Sequence, residues 1–276
     1  MLTGGVGAGL LAALSFGAGD FAGAVASRRA GALAVVAGAH SIGLVALLAA
    51  VAWFAPPIPG LGSIAVGLLA GVAGAAGLAA LYRGMALGTM GLVTALSGVG
   101  SLAIPLAVGA LVGAPIGPLQ LLGVGCAAAA GVAASGASRT ELGRQALLLA
   151  AAAAVSFGAW YVLIDIAASG ADALWALVFS RAASAGLTAA FAIGRVRRDR
   201  FPLRIVAAAG LLDVGGNAFY VLSLDLLPIG LAAALTGLYP IVTMLLARVL
   251  LGERLPRLGQ VGVALALVGI LLISLG

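Results

Sequence analysis

The chain has 276 residues, of which 63% are hydrophobic and 8% charged, with a mean hydropathy of +1.25. That composition lies far outside the soluble-domain range and points to an all-α integral membrane protein. The formal charge is +6, from 14 Arg, no Lys and 8 acidic residues, but twelve of the Arg lie in short separate connections and not in one stripe, so nucleic acid is not an expected partner.

Apolar periods cut by Arg, Pro and Gly predict ten spans, at 3–27, 31–54, 61–82, 90–112, 117–137, 145–166, 172–194, 203–224, 229–251 and 257–275. Each is long enough to cross about 30 Å of hydrocarbon at about 1.5 Å rise per residue. The first has no basic residue before it and contains Asp20, which reads as a spanning helix and not a cleaved signal. Trp53 and Phe54 close span two, Tyr82 closes span three and Trp175 opens span seven, where interfacial aromatics are expected. Cys126 lies in an apolar span, so it reads as a small buried hydrophobe with no partner for an internal disulfide.

Twelve Arg follow odd-numbered spans and none follows an even one: Arg28 and Arg29, then Arg83, then Arg139 and Arg144, then Arg195, Arg197, Arg198, Arg200 and Arg204, then Arg254 and Arg257. Basic residues of short loops stay cytoplasmic, so the odd-numbered connections are expected inside and both termini outside, in a cell (inner or plasma) membrane.

Ser15-Phe16-Gly17-Ala18 recurs as Ser156-Phe157-Gly158-Ala159 at an offset of 141, and Gly91, Gly113 and Gly123 recur as Gly230, Gly252 and Gly262 at an offset of 139. The near-constant offset predicts two five-helix repeats, residues 1–138 and 139–276, forming one integrated unit. Because five is odd, the second repeat must cross in the opposite sense, which makes the pair inverted. Small-xxx-small spacings at Gly19 and Gly23, Gly67 and Gly71, Gly84 and Gly88, and Gly109 and Gly113 would let helices approach closely.

Ionisable groups inside a membrane are costly and are the first functional candidates. Asp213 lies near the middle of span eight, with Asn217 and Tyr220 on the same face, and Arg181 lies at a similar depth in span seven. An Arg181–Asp213 pair is expected, either anchoring or coupling a substrate or only fixing how the two spans pack. Asp20 and His40 occupy the early spans of the first repeat and are coupling candidates. The alternatives are a pairing of Asp20 with Arg28 or Arg29 and a hydrogen bond from His40 to a backbone carbonyl. Arg248 is expected near the surface, reaching toward Glu253.

Pro105 and Pro240 are expected to break the equivalent fourth and ninth spans, and paired breaks point to a central site. Thr94, Ser97 and Ser101 lie near the first break and Thr236, Tyr239 and Thr243 near the second, while Trp160 and Tyr161 offer an aromatic wall. No zinc, nucleotide-phosphate or dinucleotide motif is present, so neither a cofactor nor a metal is expected.

Tyr239-Pro240 within an apolar stretch, then Leu251-Gly252-Glu253-Arg254-Leu255, then a Gly-spaced apolar helix resembles the end of an EamA-type repeat of the drug/metabolite transporter superfamily. The resemblance covers the whole chain through its ten spans and two repeats. It implies export, exchange or facilitated movement of small metabolites, amino acids or drugs by alternating access through a cavity between the halves. It also implies no enzymatic activity, with the lipid bilayer and a small solute as partners and a monomer sufficient. The first repeat departs from the pattern, since Ala114 stands where the second has Glu253. An intramembrane enzyme, needing two carboxylates or a Ser/His pair in contact, and a structural membrane subunit with an apolar centre are the other readings.

Overall fold

The computed structural model describes residues 2–111, 117–137, 141–169, 172–193, 201–224, 226 and 235–275. Ten long helices lie among them: α1 Leu2–Ala30, α2 Ala32–Phe54, α3 Leu61–Leu87, α4 Met90–Leu111, α5 Pro118–Ala137, α6 Glu141–Ser169, α7 Ala173–Ala192, α8 Leu203–Leu224, α9 Tyr239–Leu251 and α10 Arg257–Leu275. Seven of the described helices are long and apolar enough to cross a membrane, α1 to α4 and α6 to α8, while 118–130 in α5, all of α9 and 257–273 in α10 are shorter apolar stretches. Over its described residues the chain is thus all-helical, with the spans of a multi-pass membrane protein.

The connections follow from local chemistry. Gly31 alone joins α1 to α2 at φ 79°, and Gly252 ends α9 at φ 67°, both in the region that only glycine enters without cost. Ala55 closes α2 at φ 46° ahead of Pro56 and Pro57, which cannot continue the helix. The side chain of Asp172 caps α7 by accepting from the Leu174 amide at 2.8 Å.

Six helices form a central group in which α1 packs on α8, α3 on α6 and α2 on α7, with α3 also on α7 and α2 on α8. A second group, α4, α5, α9 and α10, joins it through α4 on α6 and α1 on α9. Glycine sets the closest approaches. Gly71 of α3 lies under the Ser180 carbonyl of α7, Gly23 of α1 lies under the Tyr82 ring, and Gly210 of α8 faces the Ala39 carbonyl of α2.

Several sequence expectations change. Helix α3 runs past Tyr82 to Leu87, so Arg83 is an exposed helical residue and not part of a loop, and Tyr82 is buried in the core at 2% exposure, not at an interface. Pro105 does not break α4, which continues through it. The carbonyl it leaves unbonded, that of Ser101, lies against Gly158 of α6, where a Cβ would come within 2.9 Å. Pro240 does not interrupt a helix either. It occupies the first turn of α9, where a missing N–H costs nothing, and the interruption is the turn at Gly237–Leu238 just before it. Cys126 is partly exposed and lines a shallow apolar groove with Leu121, Leu122 and Leu265.

Gly71→Val is expected to destabilise the protein by about 1–3 kcal/mol, because the added methyls meet the α7 backbone. Gly125→Val, at a position with open space, is the control. Thermal unfolding of the purified full chain in detergent checks both, and equal melting temperatures would refute the close-packing account of the α3–α7 seam.

Candidate functional site

The centre is built on α7. Its Arg181 forms an ion pair with Asp213 of α8, the only ion pair among the described residues, with the two side chains 7% and 23% exposed. Arg181 Nη1 lies 3.1 Å from His40 Nε2 of α2. A guanidinium can only donate, so Nε2 accepts and the ring hydrogen sits on Nδ1, which faces Ser184 Oγ of α7. The result is a continuous chain, Ser184–His40–Arg181–Asp213, across three helices. His40 therefore bonds two side chains and not a backbone carbonyl.

The other candidates separate into two sets. Around the chain, Trp160 Nε1 donates to Ser180 Oγ at 3.0 Å, and Tyr161 packs edge-on to Trp160 at 5.3 Å between ring centroids. Asn217 Nδ2 donates to the Asp213 carbonyl at 2.8 Å, along its own helix. Tyr220 lies within electrostatic reach of Tyr161. Asp20 of α1 lies within electrostatic reach of Asp213, Tyr82, Tyr161 and Tyr239, and neither Arg28 nor Arg29 pairs with it.

The hydroxyl candidates mostly serve the backbone. Thr94 donates to the Met90 carbonyl at 2.8 Å and Ser101 to that of Gly98 at 2.8 Å, while Ser97 donates to Val93 and, across to α6, to Ala150 at 3.2 Å. Thr243 of α9 donates to the Gly17 carbonyl of α1 at 3.0 Å. The Thr236 hydroxyl is buried beside the turn with no hydrogen-bond partner. Among the described residues no group of His, Cys, Asp and Glu is arranged to hold a metal ion.

Residues 144–275 match the model of the EamA-like transporter family. Over these residues, the second half of the chain, the protein is similar to EamA-type transporters of the drug/metabolite transporter superfamily. A solved crystal structure of a protein 19% identical covers 100% of this chain and 98% of its own, with a TM-score of 0.65, a likeness of fold alone. No curated protein matches.

The hinge glutamate of the matched half has a role that its sequence neighbourhood does not disclose. Glu253 does not turn toward Arg248, which is exposed. Its carboxylate accepts from the backbone N–H groups of Met90 at 3.1 Å and Gly91 at 3.3 Å, at the start of α4. Those donors have no partner within the helix, and a carboxylate also suits the positive end of the helix dipole. The second half thereby caps a helix of the first. The matching position in the first half, Ala114, has no acceptor side chain and lies outside the described residues.

Glu253→Ala is expected to cost about 1–3 kcal/mol by leaving the donors of α4 uncapped, and Glu253→Gln less, because an amide oxygen still accepts. Thermal unfolding checks this against Arg254→Ala at an exposed hinge position. No difference among the three variants would exclude the cap.

Proposed function

We propose that the protein is a secondary transporter, an exporter or facilitator, moving small metabolites, amino acids or drugs by alternating access through a central cavity between two inverted five-helix repeats. The repeats are residues 1–138 and 139–276, forming ten spans in the cell (inner or plasma) membrane, with the odd-numbered connections cytoplasmic and both termini outside. One chain contains both halves, so a monomer suffices.

One observation carries this reading: a chain of charged and polar side chains held where the two halves meet, in a protein of transporter family. His40 comes from the first half, and Arg181, Ser184 and Asp213 come from the second. A membrane protein that needed only packing would be expected to fill this region with apolar side chains, since ionisable groups there are costly. Asp213 keeps about a quarter of its side-chain surface accessible (23%), so the chain is not sealed.

The repeat has support in the packing. Exchanging the first five helices with the last five turns the α1–α8 contact into the α6–α3 contact and leaves α2–α7, α4–α9 and α5–α10 unchanged, and all of these contacts are present. The Arg248–Glu253 and Pro-break expectations are not needed for it.

An intramembrane enzyme is the less favoured reading. Asp20 and Asp213 are near each other, but Arg181 already occupies Asp213, whereas two catalytic carboxylates would have to share a proton.

The test is uptake and counterflow in proteoliposomes for a panel of amino acids, amines and cationic drugs, with and without a pH gradient. Wild type is expected to carry at least one panel solute. The double variant Arg181→Met/Asp213→Leu is expected to fold, because replacing a buried ion pair as a unit is tolerated, but to lose flux. Arg181→Met alone is expected to lose about 3–5 kcal/mol of stability by leaving Asp213 unpaired. Full flux in the folded double variant would reduce the pair to a packing device, and no flux for any solute in wild type would count against the carrier.

A further inference from the structure

We infer that Asp20 is the counter-ion for a cationic group of the transported solute, an ammonium seated between α1, α3, α8 and α9. The inference rests on the carrier reading above and names the class of solute.

The position of Asp20 follows from the glycines around it. Gly17 and Gly23 lie three residues before and after it and so share its face of α1. The Tyr239 carbonyl of α9 presses on Gly17, and the Tyr82 ring of α3 lies over Gly23. Gly19 faces the Asp213 backbone nitrogen of α8, which a Cβ there would approach to 3.6 Å. Three neighbouring elements, α9, α3 and α8, are thus packed against α1 within three residues of Asp20, and none forms an ion pair with it.

The charge count is unequal. Asp20 lies within electrostatic reach of Asp213, whose one cationic partner among the described residues is Arg181. Arg181 is already committed to Asp213 through Nη2 and to His40 through Nη1, and its Nε is buried without a partner. Among the described residues no hydrogen bond or ion pair reaches Asp20, and Arg28 and Arg29, lower on the same helix, do not turn back to it. An uncompensated carboxylate inside a membrane protein is the expense a cationic ligand removes.

The surroundings suit the same ligand. Tyr82, Tyr161 and Tyr239 lie within electrostatic reach of Asp20, and Trp160 backs Tyr161. Aromatic faces attract cations, and phenolic oxygens accept from ammonium hydrogens. A carboxylate-bearing solute would meet two like charges and one guanidinium already in use.

The experiment compares three solutes of one shape, phenethylammonium, 2-phenylethanol and phenylacetate, by equilibrium dialysis on the purified full chain, for wild type, Asp20→Asn and Asp20→Glu. Size-exclusion profiles establish that each variant is folded. Wild type is expected to bind the ammonium about tenfold tighter than the alcohol and not to bind phenylacetate. Asp20→Asn is expected to erase that preference and Asp20→Glu to keep it. No ammonium binding, tighter binding of phenylacetate, or an unchanged preference in Asp20→Asn would each overturn the inference. Proteoliposome flux separates the two claims: binding without flux leaves the site and removes the carrier, and flux without cation preference leaves the carrier and removes the site.

Discussion

The ion pair between Arg181 and Asp213 is the constraint the central helices serve. A guanidinium and a carboxylate taken out of water repay more of their desolvation the more of their remaining donors and acceptors are met, and here Nη1 of the guanidinium is met while its Nε is not. That condition brings in α2, because His40 presents an acceptor nitrogen to the guanidinium and is itself held by Ser184. It brings in α3 and α6 less directly. Ser180, one residue before Arg181, accepts from Trp160 of α6, and its carbonyl is covered by Gly71 of α3. The short residues along these helices let one long side chain of α7 reach partners on both sides. The glycine-rich composition and the charged centre are therefore two parts of one arrangement.

The multi-pass helical architecture was legible in the sequence because hydrocarbon thickness sets a length that composition alone can meet. The meeting of Arg181 with Asp213 was legible for a related reason: both fall near the middle of consecutive apolar stretches, at similar depth, and have few other partners available. The position of Tyr82 was not. An aromatic next to an Arg near the end of an apolar run has the pattern of an interfacial anchor, and only the extension of α3 to Leu87 and the bare face of Gly23 place it inside. Pro105 was misread because the cost of a proline depends on its place in the helix, whereas the break expected at Pro240 is present and falls at Gly237–Leu238 just before it. Pro240 occupies a first turn, and the carbonyl freed by Pro105 is met by a neighbouring helix with no side chain in the way.

Glu253 shows the limit of local reading most clearly. Its partners are backbone amides 162 and 163 residues away, and a backbone donor has no side-chain identity to be recognised in a sequence. The useful signal was the non-equivalence of the halves, Glu253 against Ala114, which marks the hinge as a place where the two are not held alike.

That inequality extends along α9. At its C-terminal end the helix is followed at once by Glu253, whose carboxylate accepts from two amides of α4, and at its N-terminal end Thr243 makes one neutral bond to the Gly17 carbonyl of α1. Charge-assisted bonds are roughly twice as strong as neutral ones, so parting α9 from α1 costs less in hydrogen bonding than parting the hinge from α4. The weaker end is also the one preceded by the turn at Gly237–Leu238 and by the unpartnered Thr236 hydroxyl, and it lies one helical turn from Asp20. The backbone irregularity of α9, its weaker attachment and the unpaired carboxylate thus fall together. In a membrane protein, irregular backbone is tolerated where protein covers it or where it borders a water-filled cavity, and here the helix it opens packs on Gly17, one turn from the one carboxylate of the centre that no cation among the described residues neutralises.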